Sequence, residues 1–362
     1  MKIGELGEFG LIERIRAALP FPGPNVIVGI GDDVAVLEAC GDSASTADAA
    51  RGPGASGAGS VWLATCDVQV EGAHFLRDAI PPRSLGRKSL AINLSDIASA
   101  GGIPRYALVS LGLPSDLEVG FIDELYAGLR EAGSEFNVDI VGGNISRSRL
   151  GIFIDVFLLG QTMRENVVLR SGAAAGDRVL VTGTLGDAAA GVALLLTPEL
   201  EKKTTASYAA AARARRDGPA PRVREGALIG SLRQASAMID VSDGLAGDLH
   251  HICEKSGVSV RLFADALPVS AENRALARAA RGDQWHFALH GGEDYELLFT
   301  AAPGRAETLA QRITSETGTP VSIIGEVLPA GKTAELVLAD GKTLPLEESG
   351  WDHFAAAAGG SK

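Results

Sequence analysis

Four acidic turns carry the residues of this chain most able to do chemistry. The run MIDVSDGLAGDL (Met238–Leu249) ends a strand-like segment in Asp240. It turns through Ser242, Asp243 and Gly244 and opens a helix carrying Asp248. GIGDDVAVL (Gly29–Leu37), TCDVQVEGAHF (Thr65–Phe75) and NLSDIASAGG (Asn93–Gly102) repeat the theme with Asp32, Asp33, Asp67 and Asp96. Hard cations such as Mg²⁺ take oxygen ligands, and a strand-to-helix turn with outward N–H groups accepts anions. One such turn is ordinary. Four in an acidic chain point to a metal–polyphosphate site.

Taken singly, each residue has a plain alternative. Gly-Asp pairs make simple turns, and Asp243 is placed to cap a helix, a role compatible with metal binding. Asp96 reads equally as a solvated helix residue. Asp67 is different: it sits inside an apolar strand, where a carboxylate is costly unless paired or metal-bound. Arg170 in LRSGAAAGD is a phosphate clamp or a surface ion-pair partner. His74 is a pocket residue or an ordinary structural histidine. The glycines before Glu293 in GGEDYEL permit close backbone approach to a ligand, and also suit a tight turn. Trp351 in GWDHF stacks on an aromatic substrate or plugs the C-terminal segment onto the core.

These residues need a scaffold. The chain has 362 residues, 46% hydrophobic and 22% charged, enough for two domains with real cores. Its 45 acidic and 33 basic residues give a net charge of −12 with no basic block, which argues against a nucleic-acid partner. A negative protein that handles phosphate needs cations between the two. Cys40, Cys66 and Cys253 have no metal-ligand spacing, so a reducing compartment is expected. No signal-peptide pattern and no apolar run of ~18 residues stand out. A cytoplasmic protein with no membrane contact is the expectation.

Periodicity predicts helices over Phe9–Leu19, Pro82–Ala100, Asp116–Phe136, Pro221–Leu232, Asp243–Ser256 and Arg305–Thr317. Strands are predicted over Val61–Val70, Ala107–Leu113, Ile152–Gly160, Ala237–Val241, Val258–Phe263, Tyr295–Thr300 and Val321–Ile324. DRVLVTG reads as a further strand and TLGDAAAGVALLL as a further helix. The fold class is α/β of the α+β type, with two mixed lobes, residues 1–165 and 166–354, and a frayed tail at 355–362. Residues 41–60 read as a disordered insertion, and 199–221 as a loose helical connection.

In order, the motifs are GEFGLI, GIGDDVAVL, CDVQVEGAHF, KSLAINLSDIASAG, VGGNISRS, LRSGAAAGDRVLVTGTLGDAAAG, IDVSDGL, GGEDYEL and GWDHF. The set closely resembles the thiamine-monophosphate kinases of the aminoimidazole ribonucleotide synthetase-like superfamily. The resemblance spans about residues 4–354, interrupted near 41–60 and 199–221. It implies ATP-dependent phosphorylation of thiamine monophosphate to thiamine diphosphate, with several Mg²⁺ ions. It implies metal ligation around Asp33, Thr65, Cys66, Asp67, Asp96, Asn144, Asp240 and Asp243. ATP contacts fall on the Gly142–Gly143 turn, Arg170 and Ser242, and substrate contacts on His74, Glu293 and Trp351. It also implies a homodimer whose N-terminal sheets pair. Two positions depart from the family. Asn144 stands where Asp is usual, which removes a charge from one metal site, and Cys66 stands where Thr is favoured. The alternatives are another ATP-using enzyme of the superfamily, or a weakened nucleotide-binding regulator, which Asn144 alone favours.

Overall fold

The computed structural model describes residues 3–19, 23–39 and 59–346. Most of the 41–60 insertion, Cys40, Trp351 and the 355–362 tail lie outside them. The N-terminal elements are α1 (Ile3–Ala18), β1 (Val26–Val28), β2 (Ala35–Glu38), β3 (Ser60–Val70), α2 (Pro82–Ser99), β4 (Ile103–Leu113), α3 (Val119–Phe136), β5 (Asp139–Arg147) and β6 (Phe153–Met163). There follow β7 (Arg178–Thr182), α4 (Asp187–Leu196), α5 (Ala206–Asp217), α6 (Val223–Leu232), β8 (Ala235–Asp240), α7 (Leu245–Ser256) and β9 (Ser259–Phe263). The chain continues through α8 (Ala271–Arg281), α9 (His286–His290), β10 (Leu297–Ala301), α10 (Pro303–Thr317), β11 (Val321–Leu328), β12 (Glu335–Val337) and β13 (Thr343–Pro345).

Two mixed sheets result, the α/β arrangement expected. The first runs β1-β2-β3-β6-β4-β5, and the second β13-β12-β9-β11-β7-β10-β8. Pairing is antiparallel except for β4–β5 and β12–β9. On β3 strict alternation buries Val61, Leu63, Thr65 and Gln69 and leaves Cys66 and Val68 on the outer face. The inner face is covered by α2. Glycines set how closely that helix is held: a Cβ at Gly128 of α3 would lie 1.9 Å from Arg83 O, and one at Gly226 of α6 2.1 Å from Ala98 O. The largest core cluster joins Leu63, Leu94 and Val156 to Leu180, Met238 and Phe299, so both sheets feed one apolar body around α2.

Three expectations change. The Gly142–Gly143 turn is extended chain inside β5, which pairs in parallel with β4. This edge strand is exposed along nearly its whole length, so it lacks the apolar alternation that marks a strand. Gly143 is needed there because a Cβ would lie 1.8 Å from Val109 O. The loose connection at 199–221 is a 3₁₀ turn (Pro198–Lys203) followed by α5. The first predicted helix begins earlier, at Ile3, with a break at Gly7, whose φ is 74°.

Candidate active site

The site is built along α2. This helix is buried over most of its length yet carries Lys88, Ser89, Asn93, Ser95, Asp96 and Ser99. Buried polar groups need partners, and theirs are the acidic turns. Thr65 Oγ1 donates to Asp96 Oδ2 at 2.5 Å, and the Asp67 N–H donates to Asn93 Oδ1 at 3.0 Å. Ser95 Oγ donates to Asp240 Oδ2 at 2.5 Å, and Ser99 Oγ lies 2.7 Å from Asp33 Oδ2. Lys88 Nζ lies 2.6 Å from Glu293 Oε1. One helix therefore gathers β3 and the turn before β2 from one lobe, and the end of β8 and the loop before β10 from the other.

Carboxylate oxygens of Asp33, Asp96 and Asp240 come within 4.8 Å of one another. Asp67 and Asp243 stand outside that threesome, but Asp67 is close enough for its charge to act on Asp96 and Asp240. Burial, then the neighbouring Asp33, pushes Asp240 up to about 8. Burial and the charges of Asp33, Asp155 and Glu8 push Asp67 up to about 6. Burial, then Asp67, raises Asp96 well above the usual carboxylate range. Acids crowded and desolvated in this way hold protons unless a cation takes their place. The donors are all oxygen and come from separate elements, so the set fits Mg²⁺. Arg170 adds a fixed cation. Its Nε lies 2.8 Å from Asp33 Oδ1, its Nη2 contacts the same oxygen, and its N–H reaches Asp32 Oδ2 at 3.3 Å.

The turn after β8 differs from the expectation in one respect. The N–H groups of Ser242, Asp243 and Gly244 all donate to Asp248 Oδ2 at 3.1 Å. They are turned onto the helix's own aspartate and do not point outward to an anion. The turn also pairs with the GGEDYEL loop: the Glu293 N–H donates to Ser242 O and the Tyr295 N–H to Val241 O, both at 2.8 Å. Glu293 and Tyr295 adopt left-handed φ of 71° and 51°. Such conformations in residues other than glycine are held by surrounding contacts and gather at functional sites.

Residues 31–162 match the family described as AIR synthase related protein, N-terminal domain, and 174–337 its C-terminal domain. The thiamine-monophosphate kinase of Aquifex aeolicus is 37% identical over 354 residues, covering 98% of this chain and 100% of that protein. The chain belongs to the thiamine-monophosphate kinase family. The Bacillus subtilis thiamine-monophosphate kinase is 33% identical, covering 96% of this chain and all of that one. A solved structure described as AaThiL complexed with AMPPCP and TMP has a TM-score of 0.77 at 36% identity, covering 98% of this chain and 99% of that chain.

In this kinase-family fold the expected residues do not all converge. Cys66 is on the outer face of β3, its Sγ 3.0 Å from Asp155 Oδ1, so its thiol faces away from the Asp67 side. Alternation on a strand makes this unavoidable, and only the Cys66 backbone remains for the site. Asn144 is likewise displaced. It pairs with Ser110, which pairs with Asp155, in the row that shares the outer face with Cys66. Within the chain it is not gathered with Asp33, Asp96 and Asp240. Gly142 and Gly143 lie on the same edge strand. His74 follows β3 and its Nδ1 accepts the Val70 N–H at 3.0 Å, which fixes the ring at the strand's end.

Sequence reasoning missed Lys88, Asn93, Ser95, Ser99 and Tyr295. The signal was present: Ser89, Asn93, Asp96 and Ser99 recur at helical spacing through an otherwise apolar run. A polar stripe on a helix with no solvent face marks a built site.

Proposed function

We propose that this chain transfers the γ-phosphoryl group of ATP to thiamine monophosphate, giving thiamine diphosphate and ADP. The observation that carries this is the convergence of Asp33, Asp96 and Asp240 on α2, in a chain whose relatives are thiamine-monophosphate kinases. Asp33, Asp67, Asp96, Asp240 and Asp243 would hold Mg²⁺. When bound, the ion would offset the charge of the polyphosphate.

The chain's own residues do the rest. Arg170, already anchored on Asp33, offers a planar guanidinium to the nucleotide phosphates. Ser242 lies in the turn at the end of β8, and its hydroxyl is a nucleotide contact. His74 and Glu293 bind the thiamine compound. The acceptor is itself a phosphate with a second pKa near about 6, so no side chain has to act as a strong base. The weakened-regulator reading rests on Asn144 alone, and retention of Asp33, Asp67, Asp96, Asp240 and Asp243 speaks against it.

A second copy of the chain completes the particle in this reading. Val68, Tyr106 and Leu108 are exposed on the first sheet, and Val141 and Ile145 lie on its edge strand β5. An open edge strand beside exposed apolar side chains invites association, and sheet pairing between two copies removes it. No described helix is long and apolar enough to cross a membrane.

The test is turnover with ATP, Mg²⁺ and thiamine monophosphate, with chromatographic detection of thiamine diphosphate. Absence of that product with a folded, metal-loaded protein overturns the reading.

A further inference from the structure

Lys88 is 2% exposed and its Nζ lies 2.6 Å from Glu293 Oε1. An ammonium has three donors, and the described contacts fill one of them. Glu293 faces outward more, its side chain 25% exposed. The pair therefore puts a buried cation behind a carboxylate that is partly open to solvent.

A second unsatisfied group lies on the inner face of β3. Gln69 is 3% exposed, and its Oε1 has no hydrogen-bond partner among the described residues. It follows Thr65 and Asp67 on the inner face of β3. There α2 meets Thr65 with Asp96 and the Asp67 N–H with Asn93. Two strand residues rise about 6.6 Å, and four helix residues about 6 Å. Continued along the pair, this puts Gln69 near the Ser89–Leu90 level of α2, on the face that meets β3, while Lys88 is directed about 100° away towards Glu293. A buried ammonium with spare donors and a buried amide oxygen without a donor are both costly in isolation. A ligand carrying an anionic acceptor satisfies the ammonium.

Two cations on the site, Arg170 and Lys88, stand at opposite ends. Arg170 meets Asp33 beside Ser99, and Lys88 lies roughly 16 Å back along the α2 axis. The metal carboxylates are between them. This order suits a nucleotide entering from the Arg170 end and an acceptor from the Lys88 end.

Building on the kinase reading above, we propose that Lys88 is a substrate-binding residue. Its ammonium turns from Glu293 to the phosphate of thiamine monophosphate, while Glu293 pairs with the cationic thiazolium ring. A zwitterionic ligand exchanges partners with the protein's own ion pair, so no charge is left uncompensated.

Calorimetric binding of thiamine and thiamine monophosphate to Lys88→Met tests this. Thiamine keeps the ring and lacks the phosphate. Loss of a charge-assisted hydrogen bond should weaken thiamine monophosphate by about 10- to 100-fold and thiamine by less than about threefold. Lys88→Arg should restore most of the preference. Where Lys88→Met does not fold, the double variant Lys88→Met/Glu293→Gln removes both charges, and the ratio of the two affinities is the readout. Equal losses for both ligands would assign Lys88 to positioning Glu293 alone and overturn the proposal, as would an unchanged ratio. An unmodified protein that binds neither compound would overturn the kinase reading, and this assignment with it.

Discussion

Ser95, buried on α2, donates its hydroxyl hydrogen to Asp240 at the end of β8, 2.5 Å away and 145 residues distant in sequence. The bond joins the two lobes at the carboxylate cluster, and it favours the ionised form of an acid that burial pushes towards protonation. Ser95→Ala should therefore weaken the metal site without emptying it. Groups that orient metal ligands typically contribute 10- to 100-fold to affinity or activity. We expect the Mg²⁺ concentration for half-maximal turnover to rise roughly tenfold, with a smaller change at saturating Mg²⁺. An unchanged Mg²⁺ dependence at corrected Mg–ATP would show that the bond serves packing alone.

Asp96→Asn and Asp240→Asn should separate activity from stability. Each removes one of the three carboxylates gathered within 4.8 Å. Turnover should fall by about 100-fold or more, as when preorganised charge stabilisation is lost. The metal-free protein should become more stable by roughly 1 kcal/mol, since a functional cluster strains the fold that carries it. Thermal melting in chelator decides the second part. A fall in Tm for both variants would mean the carboxylates are structural.

The scaffold of this cluster was legible in the sequence and its wiring was not. The runs that became β3, α2, α3 and β6 announce themselves by period, because each buries one face or all of itself. β5 does not, since an edge strand exposed on both faces has no apolar alternation to show. The Asp240 turn was recognisable as acidic. That its N–H groups are used by Asp248 depends on how the first turn of α7 coils, which composition does not reveal. Lys88 reads as an ordinary charge near a helix start, because its partner Glu293 lies 205 residues further on.

Removing Asp248 should loosen the turn it organises. Its Oδ2 accepts three backbone N–H groups, and it is 2% exposed. Asp248→Ala leaves those donors unsatisfied, a penalty of about 1–3 kcal/mol each before relaxation. We expect a Tm loss of several degrees and a fall in kcat. Asp248→Asn, which keeps one carbonyl oxygen in place, should retain more of both. Identical behaviour of the two variants would show that charge, and not the turn geometry, is what matters.

The metal-free protein should lose stability as pH rises from about 6.5 to about 8.5. Asp32 and Asp67 are raised from 3.8 to about 6, and Asp240 to about 8, chiefly by burial. A folded-state pKa above the unfolded one stabilises fully below the unfolded value, and that stabilisation is lost as pH rises through the folded value. Below about 6.5 the buried His251, lowered to about 4 by burial and the Arg170 charge, works in the opposite direction, so the slope is clean only above it. Thermal scans in chelator should show Tm falling across the window, and Mg²⁺ should flatten the profile by replacing the protons. A metal-free Tm that is level or rising there would contradict the carboxylate clustering.

The last expectation concerns residues 43–58, most of an insertion whose composition offers no apolar period. The strands on either side are already neighbours. β2 and β3 pair from Ala35↔Ala64 to Glu38↔Val61, and the Ala39 N–H reaches Ser60 O at 3.4 Å. Deleting 43–58 thus joins ends that the sheet holds side by side, as in a hairpin with a short loop. Shortening such a connection several-fold changes closure entropy by only about 1 kcal/mol, in the stabilising direction. We expect the deletion variant to fold with a Tm equal to or slightly above that of the full chain. KM for ATP and for thiamine monophosphate should stay within about twofold, a difference of under about 0.5 kcal/mol in binding. A large rise in either KM with Tm unchanged would show that the insertion reaches over the site. A drop in Tm with aggregation would show that it packs on the sheet.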